Sequence, residues 1–241
     1  MIRIGGKYDT NVEVEYDDIE GSTDNEDTAA VVNLMAGWAA DLGGGFGFRA
    51  DYGVYADFHQ DLDEYNVIEQ LLAVEPSLKK GALIYSLPVK YTFAMEDQET
   101  DYHRISLQPT LTYEIPGLRQ AIEAYGVISQ INDDDDFAVD EDALAGGAGL
   151  GYIIFSQNRS YIRLSAEYQN TNYDAAVVDY GTSTNTDDRS DNILSGNLEL
   201  NYQLRSHMDL YSTYSYIHTN SNVSIYDYDR HIVEAGVSLA F

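Results

Sequence analysis

The residues of this chain most suited to chemistry are charged side chains set at alternating positions within apolar runs. Arg49 and Asp51, Lys90, Arg163 and Glu167, Glu199 and Glu234 have apolar neighbours on either side, and Arg104 and Arg230 lie at polar-face positions of the same alternating runs. Gathered on one face of a set of strands, they can set a transverse field that sorts permeating solutes by charge. The same residues can instead salt-bridge into a plug that fills a narrow interior, and spacing leaves both outcomes open.

Covalent chemistry has thinner support. His59 and His103 lie near acidic residues, as an Asp–His hydrolytic pair requires. Neither belongs to a G-x-S-x-G or H-E-x-x-H element, so both are expected to be interfacial or loop residues. The run Asp133, Asp134, Asp135 and Asp136, continued by Asp140, Glu141 and Asp142, offers carboxylates to calcium or magnesium. It departs from the EF-hand pattern, with Phe137 in the glycine position and Ala143 in place of the bidentate glutamate. A solvated acidic loop screened by diffuse divalent cations, able to bridge lipopolysaccharide, is the simpler expectation. No cofactor is expected.

Composition narrows the class further. The net charge of −28 excludes a nucleic-acid partner, because a phosphate backbone calls for Lys and Arg. The absence of cysteine removes disulfides and Cys-ligated metal sites. Acidic disordered chains are poor in aromatics, whereas this chain has 21 tyrosines among many Val, Ile and Leu. No run approaches the roughly 20 apolar residues that a transmembrane helix needs. The first residues, MIRIGGKYDTNVEVEYDD, have no apolar signal-peptide core, so numbering from the mature end is expected if the chain is exported.

The elements that must position the charged set are strands. Period-two alternation runs through nearly the whole chain and helical spacing is rarely sustained. Leu83, Tyr85, Leu87, Val89, Tyr91, Phe93 and Met95 form one face, against Ser86, Lys90, Thr92 and Glu96 on the other. Phe46 to Phe58 repeats the pattern, with Arg49, Asp51, Gly53 and Asp57 on its polar face. About twelve strands are predicted, near 3–16, 29–41, 46–58, 65–76, 82–96, 102–115, 119–131, 143–155, 160–172, 192–204, 208–220 and 226–241. Pro88 and Pro109 interrupt two of them and predict locally loosened pairing. Gly146, Gly147, Gly149 and Gly151 predict curvature or a close approach from inside.

Short turns are predicted at 43–45, 77–81, 116–118, 156–159 and 205–207, alternating with long acidic segments at 17–28, 131–143 and 174–191. Turns that are short at one end and long at the other suit a membrane barrel with its termini at the short-turn end. Alternation by itself also fits a soluble sandwich. Three features favour the membrane. The strands run to roughly 11–15 residues, enough for the 9–11 of a tilted spanning strand. Aromatics such as Trp38, Phe46 and Phe58 lie toward the ends of the apolar face. The opposite face carries Arg, Lys and Glu that can pair across a wet lumen.

The chain ends in HIVEAGVSLAF, in which Val233, Ala235, Val237, Leu239 and Phe241 alternate and close on an aromatic carboxyl-terminal residue. This resembles the β-signal of bacterial outer-membrane β-barrel proteins, which the barrel-assembly machinery recognises. The resemblance implies an all-β, transmembrane, antiparallel up-and-down barrel spanning residues 1–241. It also implies the Gram-negative outer membrane as location, with lipid, lipopolysaccharide and the assembly machinery as partners. Val237, Leu239 and Phe241 would be the insertion signal. A smaller likeness, Tyr8-Asp9-Thr10-Asn11-Val12, is similar to the element opening the barrel of some helical-repeat-linked outer-membrane proteins, and no export function is carried over from it. A narrow porin-like channel for small hydrophilic solutes is the leading expectation, beside an anchoring or secretion-linked barrel and a loop-based hydrolase.

Overall fold

In the computed structural model, residues 1–11, 26–61, 66–96, 99–133, 142–156, 158–174, 178–179, 184–185, 189–223 and 226–241 are described. Twelve strands form one closed antiparallel barrel. They are β1 (Ile2–Asp9), β2 (Asp27–Gly43), β3 (Phe46–His59), β4 (Val67–Lys80), β5 (Leu83–Ser86 resumed as Val89–Glu96) and β6 (Glu99–Leu107 resumed as Thr110–Glu114). The second half comprises β7 (Gln120–Asp133), β8 (Ala143–Phe155), β9 (Tyr161–Tyr173), β10 (Ser190–Arg205), β11 (Met208–Ser221) and β12 (Tyr228–Leu239). A two-residue hairpin, Val178–Asp179 with Thr184–Asn185, lies in the segment between β9 and β10.

Each strand pairs with the next, and the ring closes where Ile2–Asp9 of β1 pairs with Ile232–Leu239 of β12. Closure removes both sheet edges, so every strand has hydrogen-bonding neighbours on two sides. Following Cα partners around the ring returns to β1 about 16 residues higher than the start. With ordinary strand spacings, that stagger tilts the strands about 43° and gives a backbone radius of about 12–13 Å.

Observed strand limits follow the predicted ones, with differences at the ends. β4 continues to Lys80, so the connection predicted over 77–81 shrinks to the turn at Gly81 and Ala82, where Gly81 takes a positive φ of 61°. Residues 12–16, predicted to continue β1, lie outside the described residues, as does most of each long acidic segment. Pro88 and Pro109 split β5 and β6 as expected. The ladder survives around them through Leu87 N–H to the Pro76 carbonyl at 3.1 Å and Gln108 N–H to the Pro88 carbonyl at 2.9 Å.

The apolar face turns outward all round the ring. Ile4, Leu34, Trp38, Tyr52, Leu72, Ile105, Leu150, Leu164, Tyr202 and Leu210 are all well exposed. Among the described residues no helix is long and apolar enough to cross a membrane, so any crossing is made by strands. An outward apolar face on a closed barrel is what hydrocarbon requires, since all backbone groups are satisfied within the ring. Leu150, 64% exposed near mid-strand, tests this directly. Leu150→Arg should destabilise the barrel in bilayers by about 2–4 kcal/mol, whereas Ser165→Arg on the inward face should do so far less. Denaturant titration of both variants refolded into vesicles measures the contrast.

Candidate functional site: a charged lumen

The inward face is lined by polar and charged side chains, and the strand register decides which of them meet. Arg49, Asp51, Lys90, Arg104, Arg163, Glu167, Glu199, Arg230 and Glu234 all sit at inward-facing register positions. Direct pairing across the lumen, expected from the sequence, is not how these side chains meet. Most contacts join neighbouring strands or bridge alternate ones, and that correction follows from the radius. A barrel about 25 Å across at the backbone is too wide for two side chains to meet over its axis.

The bridges form over small residues. Arg163 on β9 reaches Glu123 on β7 at 2.9 Å, passing over Gly151 of the intervening β8. Tyr125 on β7 hydrogen-bonds Glu167 on β9, and Gly149 of β8 is the register partner of both. A Cβ on Gly149 would collide with the Tyr125 ring. Tyr102 on β6 donates to Glu69 on β4 at 2.7 Å, over Ala94, which is fully buried beneath them. The Arg3 guanidinium of β1 lies 5.1 Å from the ring centre of Tyr211 on β11, with Gly236 of β12 between. The glycine run on β8 thus accommodates side chains from β7 and β9.

Toward the long-loop end the inward side chains are more deeply buried. Lys7 pairs with Asp57, and the two side chains are only 9% and 4% exposed. His59 joins this pair, with Nε2 3.7 Å from Asp57 and Nδ1 3.3 Å from Asp27. Arg230 grips Asp9 with two nitrogens, at 3.0 Å from Nε and 2.6 Å from Nη2. Asp9 belongs to the Tyr8-Asp9-Thr10-Asn11 element, whose Thr10 also accepts the His231 N–H at 2.9 Å. A cavity of about 450 Å³ lies against these groups, with Tyr55, Glu69 and Glu234 on its wall. Toward the short-turn end the side chains are wetter. Arg49, paired with Asp51 at 2.6 Å, is 55% exposed, and Arg163 is 34% exposed.

The two histidines singled out from the sequence are kept apart. His59 is a buried member of the lumen wall, not a loop residue, because the β3 register runs inward through Asp57 and His59. His103 faces outward, stacked on Tyr91 with ring centres 5.9 Å apart and bonded to its hydroxyl at 2.7 Å. His231 repeats that arrangement with Tyr214 at 6.1 Å and 2.9 Å. The carboxylates of Asp133, Asp134, Asp135 and Asp136 lie outside the described residues. Among the described residues no group of three His, Asp or Glu is placed to hold a metal ion. Val237, Leu239 and Phe241 continue the outward face, with Phe241 95% exposed.

Sequence reasoning passed over Lys7, Asp9, Glu69 and Glu123, and above all the inward tyrosines Tyr55, Tyr102, Tyr125, Tyr161 and Tyr211. Their signal was parity: Tyr55 shares a face with Asp57, Tyr125 with Glu123, and Tyr161 with Arg163.

A closed twelve-strand barrel with an apolar exterior and a charged interior has the fold of bacterial outer-membrane β-barrel proteins. No protein-family profile matches the chain, and no curated protein matches it by sequence. Among solved structures, it is similar to an outer-membrane channel of Pseudomonas putida F1, with 12% identity, a TM-score of 0.61, and 99% of this chain and 95% of that one covered. It is also similar to the NanC porin, with 9% identity, a TM-score of 0.58 and full coverage of both chains. A third likeness is to the calcium-bound outer-membrane phospholipase dimer of Salmonella typhi, with 12% identity, a TM-score of 0.53, and 99% and 90% covered. At such identities the likeness shows the fold alone.

Two variants probe the wall. Gly149→Leu should displace Tyr125 and break its bond to Glu167, and adding Tyr125→Ala should recover part of the loss. A double-mutant cycle on unfolding free energies should give a coupling of about 1–2 kcal/mol. Arg230→Met, which strands the buried Asp9 carboxylate, should destabilise by about 2–3 kcal/mol, below the full range for a buried pair because Arg230 keeps some solvent contact.

Proposed function

We propose that this chain is a narrow channel for small hydrophilic solutes in the outer membrane of Gram-negative bacteria. The observation that carries the proposal is the lumen: charged side chains line it, more exposed toward the short turns and more buried at the Lys7–Asp57 and Arg230–Asp9 pairs toward the long loops. A wall of ionised groups keeps water inside a low-dielectric slab, and water-filled polar interiors pass solutes of matching size. The channel and porin likenesses support this reading at the level of fold.

On this reading the protein does no covalent chemistry. Asp27, His59 and Asp57 form a buried chain in which Lys7 engages Asp57, so these groups are held against one another within the wall. The outward face would contact lipid and, at the long-loop end, lipopolysaccharide with divalent cations bridging the acidic loops. Val237, Leu239 and Phe241 would present the insertion signal to the barrel-assembly machinery.

Swelling of vesicles that contain the refolded protein tests the channel. Small neutral sugars should enter, with rates falling steeply as solute size approaches that of a disaccharide. Vesicles that stay as tight as protein-free ones would contradict the proposal.

A further inference from the structure

We propose that the lumen selects cations over anions, and that Glu69 and Glu234 are specificity-determining residues; this rests on the channel reading above. The argument comes from how the inward charges are partnered. Three of the inward basic side chains are taken up by aspartates: Lys7 by Asp57, Arg230 by Asp9 and Arg49 by Asp51. Arg163 is taken up by Glu123. In each pair the two charges cancel at short range.

The remaining glutamates are held differently. Tyr102 donates to Glu69 at 2.7 Å, and Tyr211 donates to Glu234 at 2.8 Å. Tyr161 donates to Glu199, and Tyr125 to Glu167. A phenol hydroxyl orients a carboxylate and satisfies one lone pair without neutralising it. Each of these glutamates therefore keeps its charge toward the lumen. Glu75 adds another at an inward-facing position.

Among the described residues three inward bases, Lys90, Arg3 and Arg104, stand outside ion pairs, and they do not reverse the balance. Lys90 donates to the Gln108 side chain at 3.0 Å. Arg3 and Arg104 lie over the rings of Tyr211 and Tyr102, the same tyrosines that hold Glu234 and Glu69. Glu69, Glu75, Glu167, Glu199 and Glu234 outnumber these three.

Position gives Glu69 and Glu234 the greatest weight. Both lie on the wall of the 450 Å³ cavity toward the long-loop end, where the side chains are most buried. The other charges there, Lys7 with Asp57 and Arg230 with Asp9, are already paired, and His59 lies between Asp27 and Asp57. Where the wall side chains are most buried, water screens less, so a fixed charge there acts more strongly on a passing ion. A small inorganic cation or a compact organic ammonium gains from both carboxylates, whereas chloride or a carboxylate solute is repelled.

Planar-bilayer recording of the full chain under a tenfold KCl gradient reads the selectivity from the sign of the reversal potential. We expect conductance with potassium favoured several-fold over chloride. E69Q/E234Q should conduct with its reversal potential moved clearly toward zero, and E69K/E234K should move it to the anion-selective side. Heat-modified gel mobility establishes that each variant is a folded barrel. Glu199→Gln, which alters a different tyrosine-held carboxylate, provides a second reading should the paired variants fail to fold, and it should move the potential in the same direction. Conductance in the unmodified protein with a zero or anion-selective potential overturns cation selectivity and leaves the channel reading intact. Cation selectivity unmoved by E69Q/E234Q overturns the assignment to these two residues. If no conductance is seen, the channel reading and the selectivity fall together.

Discussion

Backbone hydrogen bonding without water is the constraint on which the whole structure turns. Within hydrocarbon, each unpaired N–H or C=O costs several kcal/mol, and an open sheet would leave two rows of them. The pairing of Ile2–Asp9 with Ile232–Leu239 removes both rows at once. Everything else is arranged on that ring. The outward side chains need only be apolar, because no packed core lies against them. The inward side chains are free to be polar, because water and one another are their surroundings.

Given the ring, register does the work that core packing does in a soluble domain. A stagger of about 16 residues over twelve strands sets both the tilt and the radius. At that radius the lumen is too wide for side chains from opposite walls to touch and too narrow for bulk solvent to screen fully. Small residues then determine which groups meet. Ala94, Gly149, Gly151 and Gly236 leave room over their own strands, and side chains from the strands on either side close over the gap. The lumen is thus lined by a network whose span is two strands.

Much of this was legible in the sequence because a barrel writes its architecture locally. Alternation in runs such as Leu83 to Met95, and glycine-bearing turns at Gly43–Gly45, Gly81 and Gly117, are visible without any knowledge of distant contacts. Inward parity of Arg49, Arg163 and Glu234 followed from the same alternation. What was not legible is whatever depends on stagger. The meeting of Lys7 with Asp57, or of Tyr102 with Glu69, joins residues 50 and 33 positions apart. Those meetings need the offset between strands, and no local pattern encodes it. The inward tyrosines were passed over for a related reason. Its ring suits an interfacial exterior and its hydroxyl suits a polar interior, so composition places it on either face, and only parity decides.

The two-strand span of the inner network has a consequence for how faithfully the barrel assembles. A slip of one residue between neighbours would turn every side chain to the wrong face, putting charges outside and apolar groups inside. A slip of two residues preserves the inside–outside pattern and costs little in backbone pairing. Bridges such as Tyr102 over Ala94 to Glu69 are sensitive to this second error, because they form only when three successive strands are aligned together. The small inward residues therefore act as alignment marks, and replacing them with larger ones would blur the distinction between the native barrel and its closest misassembled neighbours.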